Sequence, residues 1–218
     1  MTRLPIKRIG HVFSVLYLLV FLGASPTLAQ EKTIIALGDS LTAGYGLASG
    51  LGFVPRLEAA LRARGHKVKI INAGVSGDTS AGGLSRLDWT LAGAPTAQAV
   101  IVELGANDAL RGLNPRLTQQ NLAAIITRLQ AKGLAVLLAG MQAPPNLGQD
   151  YHQRFTPIYP RLAAQYGVEF YPFFLKGVAA QPHLNLADGI HPNAQGIEII
   201  VSNILPTLER LLKEINIK

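Results

Sequence analysis

The residues in this chain that could do chemistry together are a serine, an aspartate, a histidine and an asparagine. Ser40 stands in Gly38-Asp39-Ser40-Leu41, and Asn107 in Gly105-Ala106-Asn107-Asp108. Between them lies Gly74-Val75-Ser76-Gly77-Asp78, and far downstream Asp188-Gly189-Ile190-His191-Pro192-Asn193. Asp188 and His191 are three residues apart, close enough on a turn for the carboxylate to hold one ring nitrogen while the other faces outward. That is a general base with its orienter, as acyl transfer requires. Alone the spacing decides little, since a chain with 6 Asp and 5 His meets Asp-x-x-His by chance about one time in seven. Each residue also has an ordinary structural use: Ser40 as a helix cap, Gly77 as a turn glycine with positive φ, Asn107 as a local turn hydrogen bond. Asp39 and Asp108 read as turn caps. Order carries the weight, because the four segments succeed one another at places where one fold would bring them together.

Those places follow from the hydrophobic pattern. Thr33–Leu37 reads as a short buried strand, and Pro55 and Gly65 bracket a helix with Val54, Leu57 and Leu61 on one face. Val68–Ile71 is the next strand, and helix-period residues after Thr79 lead to a third at Ala99–Leu104. Leu122, Ile125, Ile126 and Leu129 mark an amphipathic helix ending at Gly133, followed by a strand at Leu134–Ala139. Tyr151–Tyr166 has a helical pattern that Pro157 and Pro160 should break. Val168–Tyr171 reads as a last strand, and from Asn193 the chain is helical, with Pro206 as a kink or the first turn of a second helix. Strands alternating with helices predict an α/β domain, a three-layer, doubly wound parallel sheet with helices on both faces. In such sheets the site lies beyond the carboxyl ends of the strands. Three of the polar segments follow predicted strands, and the fourth precedes the last helix.

GDSLTAGYG at 38–46, NAGVSGDTS at 72–80, GAND at 105–108 and DGIHPN at 188–193 resemble the four blocks of the SGNH (GDSL) hydrolases. The likeness extends over residues 32–214 and looks greatest to a bacterial periplasmic branch of thioesterases, lysophospholipases and arylesterases. It implies a flavodoxin-like fold and a serine hydrolase acting on ester bonds, with no cofactor. The family's named residues fall on Ser40, Gly77, Asn107 and His191, with Asp188 completing the triad. Ala106 departs from a second glycine found in some members, which bears on the local backbone path. On this assignment Ser40 attacks the carbonyl, His191 takes its proton and returns it to the leaving group, and Asp188 fixes the tautomer. The backbone N–H groups of Ser40 and Gly77 and the Asn107 side chain form the oxyanion hole. An imidazole, which ordinarily titrates near roughly 6.5, must be neutral to act, so activity should rise from acid toward neutral pH. The G-x-S-x-G elbow of α/β-hydrolases is absent, because Thr42 occupies its last position.

Composition limits the remaining classes. Charged residues make up 15% of the 218, below the roughly 25% usual for soluble domains, and hydrophobic ones 49%, which excludes intrinsic disorder. With no cysteine, there are no disulfides and no thiol nucleophile. Arg3, Lys7 and Arg8 precede the apolar run Val12–Leu22, and Thr27 and Ala29 suit a cleavage site, so residues 1–29 read as a signal peptide cut before Gln30. An uncleaved anchor is the alternative reading. Removal takes the net charge from +7 to +4 and leaves residues 30–218 as one hydrolase domain, periplasmic or secreted, with no later membrane span. The basic cluster Arg62, Arg64, His66, Lys67 and Lys69 falls at a helix end, where cations complement the dipole, so no nucleic-acid partner is expected. Gly44, Gly46 and Gly50 miss nucleotide-binding spacing, and His66, His152 and His183 are too isolated for a metal site. The expected partner is a small acyl or aryl ester, with thioesters and lysophospholipids in the same class, acted on by a monomer. A carbohydrate O-acetyl esterase and a catalytically silent binding module on the same fold are the alternatives. The loop Gln142–Gln149 (QAPPNLGQ), with Leu147, is the candidate wall of an apolar groove.

Overall fold

The computed structural model describes Thr2 and residues 31–217; the expected signal peptide and its cleavage point lie outside the described residues. In chain order the elements are β1 (Lys32–Gly38), α1 (Ser40–Ala43), α2 (Phe53–Ala63), β2 (Val68–Gly74), α3 (Ser80–Ser85) and α4 (Leu87–Ala92). They continue with β3 (Ala97–Glu103), α5 (Ala106–Leu110), α6 (Pro115–Ala131), β4 (Ala135–Ala139), α7 (Gln149–Phe155), α8 (Ile158–Tyr166), β5 (Glu169–Tyr171) and α9 (Ala194–Ile217). The five strands form one parallel sheet in the order β2-β1-β3-β4-β5. This is the doubly wound order expected, and its direction reverses between β1 and β3. Helices α2 and α9 pack together on one face, while α6 and α8 pack together and cover the other. Ile34, Ile35, Val100, Ile101, Leu137 and Leu138 are inaccessible to solvent, as a sheet covered on both faces demands.

The helix expected around Leu122 does bury Leu122, Ile125, Ile126 and Leu129. The proline-bearing stretch is broken where expected: α7 ends at Phe155, and α8 begins after Pro157 with Pro160 in its first turn. Pro206 does not start a second helix. It lies inside the 24-residue α9 on its exposed side. Proline costs one backbone hydrogen bond there, but Ile200 and Ile204 before it and Leu208 and Leu211 after it are buried on one face, so packing carries the helix through. Three of the five members of the basic cluster serve structure. Arg62 pairs with Glu31 and Glu58 and donates to the Val68 carbonyl, and Arg64 and His66 both meet Glu209.

Register sets the level of the site. Gly74 of β2 pairs with Gly38 of β1, which pairs with Glu103 of β3, so these three strands end side by side. The loops that follow therefore leave the sheet at one height around the switch point. Gly38 has to be glycine: a Cβ there would stand 2.0 Å from Thr42 Oγ1 and 2.7 Å from Glu103 Oε2.

Candidate active site

Ser40 is the first residue of α1, carried straight off β1, and the cap of that short helix is Asp39, whose Oδ1 accepts from the Leu41 N–H. The hydroxyl is thereby freed from capping. It lies 2.9 Å from His191 Nε2, although the two residues are 151 positions apart. His191 Nδ1 lies 2.7 Å from Asp188 Oδ2, and Asp188 Oδ1 accepts the backbone N–H groups of Ile190 and His191 at 2.9 and 3.0 Å. These bonds, the two backbone donors foremost, hold the Asp188 carboxyl at about 2, below its ordinary value. A carboxylate can only accept, so Nδ1 carries the imidazole proton and Nε2 presents a lone pair to the serine hydroxyl.

The loop bearing His191 is closed like a hairpin. Leu186 N–H donates to the His191 carbonyl at 2.7 Å, Asn193 N–H to the Leu184 carbonyl at 2.9 Å, and Asn185 bridges Pro192. Asn193 Oδ1 then accepts from Gln195 and Gly196 in the first turn of α9, fastening the loop to that helix. The Tyr45 ring lies over the imidazole with centroids 4.4 Å apart.

The side chain of Asn107, in the first turn of α5, makes a long-range bond rather than a local turn bond. Its Nδ2 donates to Asp39 Oδ2 at 3.0 Å, across 68 residues, and Asn107 lines the same cavity as Ser40. Gly77 has φ +85°, the left-handed turn conformation expected, and its carbonyl accepts from Arg111 Nη2 at 2.8 Å. Arg86 ties this loop to β1, bonding Asp78 at 2.6 Å and the Gly38 carbonyl at 2.9 Å. The Ser40 N–H lies in the first turn of α1, where backbone donors have no partner within the helix. Ala106 takes an ordinary negative φ at the start of α5, so the path there needs no second glycine.

Two acids proved more than turn caps, and one was missed. Asp108 is buried and accepts from Ser80 N–H at 2.7 Å, from the Ser80 hydroxyl and from Thr118 Oγ1 at 2.9 Å, joining α3, α5 and α6. Asp39 caps α1 as expected and also holds Asn107. Glu103 closes β3 beneath it, fully buried, accepting from Thr42 Oγ1 at 2.8 Å. Burial and the neighbouring Asp39 push the Glu103 carboxyl well above the ordinary carboxyl range. The sign available in the sequence was a lone glutamate ending the apolar run Ala-Val-Ile-Val.

Burial raises the Asp39 carboxyl to about 6 from 3.8, against the hydrogen bonds from Leu41 and Asn107. Folded Asp39 therefore keeps its proton to a higher pH than unfolded Asp39. Its contribution to stability is full below the unfolded value and is lost as pH rises through about 6. Relative to Asp39→Asn, the wild type should lose melting temperature between pH 4 and pH 7. Parallel melting curves across that range would overturn the assignment.

Around these groups lies a cavity of about 700 Å³ at the carboxyl end of the sheet, within the range of small-molecule sites. Gln142, Ala143, Pro144 and Pro145 form one wall, as expected, with Leu110, Met141, Phe173, Leu175 and Ile190 elsewhere. Leu147 does not line it and packs against the core instead. Among the described residues no three His, Asp or Glu side chains stand together as a metal site, and no helix is long and apolar enough to cross a membrane.

Residues 36–199 match the GDSL-like Lipase/Acylhydrolase family model. The chain is 43% identical over 184 residues to Esterase TesA of Pseudomonas aeruginosa, covering 84% of this chain and 91% of that protein. It is 36% identical over 184 residues to Thioesterase 1/protease 1/lysophospholipase L1 of Escherichia coli K12, covering 84% and 86%. The crystal structure of the psychrotrophic esterase EstA from Pseudoalteromonas sp., inhibited by monoethylphosphonate, superimposes with a TM-score of 0.78 at 34% identity, over 84% of this chain and 99% of that one. Matched across most of its length by sequence and by fold, the chain belongs to the GDSL-like lipase/acylhydrolase family.

Proposed function

We propose that this serine hydrolase cleaves acyl or aryl esters through an acyl-enzyme, with Ser40 as nucleophile, His191 as general base and then acid, and Asp188 as its orienter. The observation that carries the reading is the unbroken chain Asp188 Oδ2, His191, Ser40 Oγ, with contacts of 2.7 and 2.9 Å. Ser40 Oγ bonds to the carbonyl carbon as its proton passes to Nε2. The tetrahedral intermediate collapses when His191 returns that proton to the departing alcohol, phenol or thiol. Water repeats the sequence on the acyl-enzyme. Ser40 N–H, Gly77 N–H and the free Asn107 amide hydrogen take the oxyanion. A phosphonate is a tetrahedral mimic of that intermediate, and EstA is inhibited by one.

The cavity's chemistry favours acyl and aryl groups over sugars. Asn185, a polar wall residue, spends both amide hydrogens on the Val178 and Gln181 carbonyls. Thioesters and lysophospholipids fit the same apolar cavity. Residues 1–29 act as an export signal, placing the domain 30–218 in the periplasm or outside the cell. Turnover of p-nitrophenyl esters of increasing acyl length, beside lysophospholipid and acetylated sugars, tests the substrate class. Faster turnover of acetylated sugars than of any acyl or aryl ester would overturn it.

Asn107→Ala separates transition-state stabilisation from structure. Both roles predict a lower melting temperature, because Asp39 loses a donor. Only the oxyanion role predicts a kcat drop of about 10²–10³-fold, roughly 3–4 kcal/mol, with KM little changed. More than about a third of wild-type kcat per titrated site would remove Asn107 from the oxyanion hole.

A further inference from the structure

We infer that the rim of the active-site cavity docks on the surface of an anionic phospholipid bilayer. Tyr45, Val75, Leu110, Leu113, Leu117 and Ile190 are 38–55% exposed, an unusual concentration of large apolar side chains in water. Tyr45, Leu110 and Ile190 line the cavity itself, and Val75 directly precedes its lining residues Ser76 and Gly77. Leu110 ends α5, Leu113 lies in the turn after it, and Leu117 stands in the first turn of α6. Tyr45, Val75 and Ile190 come from three separate loops and the three leucines from one segment, 110–117.

Charge selects the occupant. The segment 110–117, Leu-Arg-Gly-Leu-Asn-Pro-Arg-Leu, interleaves its three leucines with Arg111 and Arg116 and contains no acid. Both arginines are exposed, and Arg111 is braced on the Gly77 carbonyl. Leucines that enter the headgroup boundary beside arginines at phosphate level are the composition of an interfacial segment, with tyrosine suited to the same depth. Two copies meeting through this rim by a two-fold axis would instead set the same arginine-bearing segments against each other. Docked in this way, the cavity mouth opens onto the lipid, and a single-chain ester could reach Ser40 without crossing water. That consequence rests on the ester-hydrolase reading, whereas the docking does not.

The test is flotation of the protein from Gln30 onward with vesicles of equal phosphatidylcholine and phosphatidylglycerol at low salt, beside phosphatidylcholine alone. Every described element lies within this span, and it excludes the apolar run Val12–Leu22, which could itself partition. Ser40→Ala is used for binding, so that turnover plays no part. It should float with the anionic vesicles, and Leu113→Asp with Leu117→Asp on that background should float at least about tenfold less. With Ser40 intact, the double variant should hydrolyse p-nitrophenyl acetate within about twofold of wild type, which also reports its folding. Should it fail to fold, Arg116→Glu decides, since unchanged binding to anionic vesicles by that variant overturns the proposal. No flotation of Ser40→Ala would overturn it too, as would equal flotation of the double variant. A lipid-free dimer that the double substitution dissolves would assign the rim to a second copy instead. Vesicle binding without any ester turnover would count against the hydrolase reading alone.

Discussion

Ser40→Ala should lower kcat for p-nitrophenyl esters by about 10⁴–10⁶-fold while leaving the melting temperature nearly unchanged. On the proposed assignment the hydroxyl is the nucleophile, and neighbouring Thr42 cannot replace it, being buried and bonded to Glu103. Removing it takes away one contact, to His191, and very little volume. Residual turnover would come from the oxyanion donors and from substrate binding. Covalent labelling by a fluorophosphonate should disappear with the hydroxyl, since the reagent forms its bond to that oxygen. Near-wild-type turnover, or labelling that survives, would move the nucleophile elsewhere.

Asp188→Asn should lower kcat by about 10⁴-fold with KM little changed, and the local hydrogen bonds say why a nearly isosteric change is so costly. The backbone N–H groups of Ile190 and His191 both point at Oδ1. In the variant the amide oxygen must meet those two donors, which turns the NH₂ toward His191 Nδ1. A donor there forces Nδ1 to accept, leaving the imidazole proton on Nε2, where it blocks proton transfer from Ser40. The loss is therefore one of tautomer and falls on kcat. The measurement is kcat and KM on active-site-titrated enzyme, with a melting curve to show that the 185–193 loop stays formed. Retention of a tenth of wild-type kcat would mean that another group orients His191.

The parts of this molecule legible in its sequence are those governed by short-range rules. Apolar runs marked the inner strands β1, β3 and β4, because strands buried on both faces admit little else, and shorter apolar segments marked the edge strands β2 and β5. The site residues were legible because each sits within a few positions of a strand end or helix start, where glycine, aspartate and asparagine are punctuation as well as chemistry. Long-range pairings left much weaker traces. Nothing local to Asp39 says that its second oxygen will hold Asn107, nor to Asp108 that it will gather Ser80 and Thr118. Glu103 was overlooked because a glutamate at a strand end is normally solvated, and only the register with Gly38 places it beneath α1. Leu147 misled in the opposite sense, its apolar side chain serving the core rather than the cavity. Pro206 was overruled by packing on both sides of it.

The 151-residue separation of Ser40 and His191 also bears on when the enzyme comes into being. β1, which leads into Ser40, is made early, yet it lies inside the sheet and must await β2 and then β3. Parallel pairings close long loops before they are rewarded, and so they form slowly. His191 arrives later still, on a loop fastened to α9 through Asn193, and α9 has to dock against α2, β4 and β5. A growing chain can thus contain Ser40, Gly77 and Asn107 and still lack His191, the proposed proton acceptor. On the proposed assignment, hydrolysis therefore waits for α9 to seat.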